Sequence, residues 1–60
     1  MEVSLPEMIQ CVDRELMFRR NCYPRWVTQH KLTQRLADLE IARMQAIRDF
    51  LARVAAEVRA

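Results

Sequence analysis

The stretch TQRLADLEIARMQAIRDFLARVAAEVR, residues 33–59, decides the fold. It contains neither glycine nor proline and is rich in Ala, Leu, Arg, Met, Glu and Gln, the residues that lose least on entering a helix. Apolar residues recur at Leu36, Ala37, Met44, Ile47, Leu51, Val54 and Val58, the spacing of a helix with one greasy side. Thr33 suits the N-cap, where a short hydroxyl side chain can accept an otherwise unpaired amide. The pattern therefore predicts a long helix over 33–59, about 39 Å from Gln34 to Arg59 at a rise of about 1.5 Å per residue.

Toward the amino terminus, Ser4-Leu5-Pro6-Glu7 has the order of a capping box, with proline where the first turn tolerates it. Beyond it, Leu5, Met8, Ile9, Val12, Leu16 and Tyr23 share one helical face. Pro24 disfavours α geometry at Tyr23 and brings no amide of its own, which predicts an end near Asn21 or Cys22. The expected architecture is all-α, a helical hairpin forming one domain over 1–60. Its shorter helix runs over about 5–22, its corner over about 23–32 and its longer helix over about 33–59. Trp26 and Val27 argue for a packed turn, with room for one short helical turn, rather than a loose linker. With no glycine in the chain, tight hairpins that need positive φ have no natural residue, so a sheet is not expected.

Helix one would extend only about 25 Å, which leaves the stripe around Leu51, Val54 and Val58 uncovered. A second apolar stripe on helix one, Cys11, Phe18 and Cys22, exceeds what one facing helix can bury. Both features predict a homodimer closing into a four-helix bundle. Its expected core comprises Leu5, Met8, Ile9, Val12, Leu16 and Phe18 from helix one. Leu36, Met44, Ile47, Leu51, Val54 and Val58 come from helix two.

Composition narrows the function. The two cysteines, eleven residues apart on one helix, lie about 16 Å apart along its axis and cannot bridge within a chain. They read as free thiols or links between chains, and a reducing cytoplasm fits them best. His30 is the only histidine, far in sequence from either thiol, so structural zinc is not expected. No apolar run is long enough to span a bilayer, and the start Met1-Glu2-Val3-Ser4 lacks the form of a signal peptide, so neither export nor membrane insertion is expected. There is no glycine-rich phosphate loop and no nucleophile with an evident base, which argues against an enzyme, a cofactor or a small-molecule substrate.

Charge is uneven. Residues 16–37 hold Arg19, Arg20, Arg25, Lys31 and Arg35 and no acid. With Tyr23 and Trp26 they form the candidate partner-binding set, since Trp, Tyr and Arg dominate interface hot spots and a basic patch attracts acidic faces or phosphates. A solvated turn with Trp26 plugging the corner is the plainer alternative. Glu40 and Arg43 fall near the centre of helix two's apolar face. They are candidates for a register-fixing pair, with each other or between Arg43 and a carboxylate such as Glu15 from another helix; the plainer alternative is that both reach water.

The run from Glu15 to Val27, centred on Tyr23-Pro24-Arg25-Trp26-Val27, followed by Lys31-Leu32-Thr33, Ala37, Glu40-Ile41-Ala42 and Met44, resembles small accessory proteins of tailed phages and bacterial prophages. The likeness covers about half the chain, mainly 15–47, and members of that group often carry glycine where His30 stands. It implies a short protein made in a bacterial cytoplasm that binds and modulates or inhibits a host protein. A basic nucleic-acid-binding regulator and a structural subunit of a larger complex remain as alternatives.

Overall fold

A computed structural model describes residues 1–59; Ala60, the last position of the expected domain, lies outside them. Two helices, α1 (Leu5–Thr28) and α2 (Gln34–Arg59), pack against each other as a hairpin. Ser4 caps α1 as its sequence promises: its extended backbone at ψ 158° leaves the hydroxyl to accept the Glu7 amide at 3.3 Å. The same hydroxyl donates to the Glu7 carboxylate at 3.0 Å. Thr33 accepts the Leu36 amide at 3.1 Å and caps α2 in the same way.

Helix one does not end at Asn21 or Cys22, and the corner does not span 23–32. The helix runs through Pro24 to Thr28, and the connection is only residues 29–33. An interior proline costs about 3 kcal/mol because it removes one helical bond and crowds the carbonyl four residues back. Here that carbonyl belongs to Arg20, and both Arg20 and Pro24 lie on the exposed side of the helix. Continuing the helix holds Tyr23, Trp26 and Val27 half-buried, and burial of side chains this large contributes more than the proline takes away. Trp26 stacks at a tilt on Tyr23 with ring centroids 5.5 Å apart, and meets Phe18 edge-on at 6.0 Å.

The helices are thus 24 and 26 residues long, and the expected length mismatch does not exist. The stripe at Leu51, Val54 and Val58 is not left bare by a short neighbour, so that ground for a dimer falls away. What replaces it is how little a pair of helices can enclose: among the described residues only Leu16 and Ala37 are buried, at 5% and 2% exposure.

The turn that permits near-equal lengths is a Schellman motif built without glycine. Helix α1 ends with the Lys31 amide donating to the Trp26 carbonyl at 2.9 Å and the His30 amide to Val27 at 3.0 Å. Between them His30 takes φ 59°, a left-handed conformation that crowds any Cβ. Replacing His30 with glycine is expected to raise stability by about 1 kcal/mol, after glycine's greater freedom in the unfolded chain is counted. A urea midpoint that stays level or falls in His30→Gly would show that the turn stores no such strain.

Candidate interaction surface

Along α1 the residues facing α2 are Leu5, Ile9, Val12, Leu16, Arg19, Tyr23 and Trp26, alternating steps of four and three. Along α2 the matching seam is Ala37, Ile41, Met44, Arg48, Leu51 and Ala55. This is the heptad spacing of paired helices, interrupted once on each side by arginine. Both arginines escape sideways, and in opposite directions.

Arg19 turns to one flank. Its Nε lies 3.0 Å from Glu15 Oε1, and its Nη1 donates to the Glu40 carbonyl at 2.9 Å and sits 3.6 Å from Glu40 Oε2. Glu40 Oε1 in turn accepts from Arg43 Nη1 at 2.7 Å. The four side chains form one chain of alternating charge across the two helices. With only 17% of its side chain exposed, Arg19 is held inside the hairpin rather than offered to a partner. Of the three register candidates, Glu40 and Arg43 pair with each other, and Glu15 joins them through Arg19 rather than through Arg43.

Arg48 turns to the other flank, 3.0 Å from Asp13 Oδ1, where Arg20 also donates to Gln45. These two links bind the helices across a face that is otherwise polar, carrying Gln10, Asn21, Gln34, Asp38 and Asp49 and the single exposed Met17.

The cross-links fix which flanks lie together. At about 100° per residue, Glu15 and Arg19 share the flank of α1 that carries Met8, Cys11, Phe18, Cys22 and Trp26. Glu40 and Arg43 share the flank of α2 that carries Leu36, Ile47, Phe50, Val54 and Val58, with Leu39 beside them. Because Arg19 bonds Glu40, the two apolar flanks are one continuous face of the hairpin. On the α2 side, Leu36, Leu39, Ile47, Phe50 and Val58 stand between 41% and 76% exposed over about 33 Å of helix. Met8 and Phe18 are also exposed, while Met44, Leu51 and Val54 are half-buried between this face and the seam.

The basic set is divided by the same geometry. Arg20 lies on the polar face, Arg25 is exposed with Nη2 3.9 Å from Cys22 Sγ, and Lys31 and Arg35 are exposed at the turn and the first turn of α2. Tyr23 and Trp26 are half-buried at the same end of the molecule as these three exposed cations. A shallow hollow at the turn is lined by Val27, His30, Lys31, Leu32, Thr33 and Gln34. Among the described residues no group of three His, Cys, Asp or Glu is placed to hold a metal ion, and no helix is long and apolar enough to cross a membrane.

Sequence reasoning found the apolar positions but missed the continuous face, because that depends on which flank each of the two seam arginines takes. Comparisons with protein-family models, with curated proteins and with solved structures returned no match for this chain.

Proposed function

We propose that this chain is a non-enzymatic accessory protein of phage or prophage type that acts by binding. Two copies close their apolar faces into a four-helix bundle, and the basic aromatic corner of each copy grips and modulates a protein of the bacterial cytoplasm. The observation that carries the reading is the exposed apolar face beside a core of two buried side chains among the described residues. A folded monomer of 7.2 kDa is expected to expose about 4,100 Å², whereas this chain exposes 4971 Å². The excess, about 850 Å², matches the roughly 800 Å² that each partner contributes to a standard interface. The elongated form agrees: the radius of gyration is 14.0 Å, against about 10 Å for a compact chain of 60 residues.

For the host contact, support comes from Tyr23, Trp26, Arg25, Lys31 and Arg35 gathered at one end, together with the resemblance of the Tyr23 to Val27 segment to phage proteins. Wild type is expected to retain a bacterial protein that the Arg25→Ala, Trp26→Ala double variant loses. Identical recovery by both would remove the corner from the contact. The same concentration of cations favours phosphate as the second reading. Retardation of duplex DNA that weakens steeply as salt rises would select nucleic acid instead.

A further inference from the structure

Building on the self-association proposed above, we infer that the two copies pack antiparallel, α1 on α1 and α2 on α2, with the basic corners at opposite ends of the bundle. Charge distribution gives the first reason. The half of the hairpin nearest the turn, residues 17–45, carries six cations, Arg19, Arg20, Arg25, Lys31, Arg35 and Arg43, against Asp38 and Glu40. The open half, 1–16 and 46–60, carries six acids against four arginines. Corners together would crowd twelve cations at one end. Corners apart set each basic half against an acidic one, the complementarity that fixes register between surfaces.

Geometry gives the second. The links Arg19 to Glu40, Arg20 to Gln45 and Asp13 to Arg48 place the midpoint of α1, between Leu16 and Met17, level with about Gln45. Gln45 lies within two residues of the midpoint of α2 (Gln34–Arg59), so one two-fold axis perpendicular to the helices can pass through both centres. Rotation about it sets Glu7 of one copy near Arg25 of the other, and Arg35 near Glu57, at the rims of the face. Ile47 and Phe50 fall beside Arg43 and Glu40 of the other copy, close to the axis. Each assembled bundle then presents two identical aromatic, basic ends, separated by about the 45 Å length of one hairpin. It becomes a two-ended binder.

Cys11 and Cys22 report the arrangement, because they stand equally far from the midpoint of α1. Antiparallel packing of α1 on α1 brings Cys11 of one copy beside Cys22 of the other, twice. With corners together, α1 would instead pack on α2, which has no cysteine, and the thiols would be out of reach. The test is mild oxidation of the wild-type protein with copper phenanthroline, non-reducing electrophoresis and peptide mapping, beside sedimentation of the reduced protein. A Cys11–Cys22 link between copies is expected to exceed like-with-like links by about tenfold, as disulfide geometry demands close Cα atoms. Cys11→Ser and Cys22→Ser are each expected to stay unlinked alone and to link when mixed. A stable dimer that forms no link, or that joins like to like, overturns the orientation alone. A monomer on sedimentation overturns the orientation and the self-association together.

Discussion

Leu16→Ala is expected to lower the melting temperature by more than about 10 °C, and to leave much of the chain unfolded at 37 °C. Among the described residues Leu16 is the largest side chain the hairpin buries, and Ala37 is the other buried one. Removing a buried leucine costs about 2–5 kcal/mol, through lost transfer energy and the cavity left behind. A domain of 60 residues has only a few kcal/mol to lose, and at this size each kcal/mol moves the melting point by about 4–8 °C. Met17→Ala is the control. Its side chain is 66% exposed on the polar face, so its effect should stay within about 0.5 kcal/mol. Equal melting of the two variants, followed by circular dichroism, would show that the seam between α1 and α2 is not where the fold is held.

The second large effect is expected from Ile47→Asp with Phe50→Asp. Both side chains are about half exposed in the single hairpin, so they contribute little to its internal seam. In a bundle they lie at the centre of the interface beside the Glu15, Arg19, Glu40 and Arg43 chain. There the two new carboxylates lose water and apolar contact and add like charge beside Glu40, a cost that Arg43, already paired with Glu40, and Arg53, beside position 50, offset only in part. The double variant should be monomeric and melt at lower temperature. A polar change on a truly solvated face would leave both properties unmoved.

Much of this was legible in the residues. The capping box at Ser4 and the N-cap at Thr33 start the helices where their hydroxyls predict, and the apolar positions mark both faces of each helix. Pro24 was misleading because its local preference to end a helix was outweighed by tertiary packing of Tyr23, Trp26 and Val27. The uninterrupted spacing of Leu16, Tyr23, Trp26 and Val27 across the proline was the signal that α1 continues. The left-handed cap at His30 had one cue, the glycine that the resembling phage proteins often carry there, but a chain without glycine gives no such cue of its own. Arg19 was counted among outward cations because periodicity alone does not tell a solvated arginine from one drawn onto a neighbouring carbonyl. Its place in the four-three spacing of the seam held that information, and so did the place of Arg48. The expectation of a shorter first helix failed with the proline, and self-association now rests on exposed area and on the joined flanks.

Sedimentation equilibrium of the wild-type chain over a wide dilution series, beside the Ile47→Asp, Phe50→Asp variant, tests most directly whether a second copy covers the apolar face. The wild type should report twice the 7.2 kDa chain mass until dilution separates it, with a melting temperature that falls as it is diluted, while the variant stays at 7.2 kDa throughout. A wild-type chain that remains at 7.2 kDa at high micromolar concentration, and melts at the same temperature at every dilution, would contradict the account.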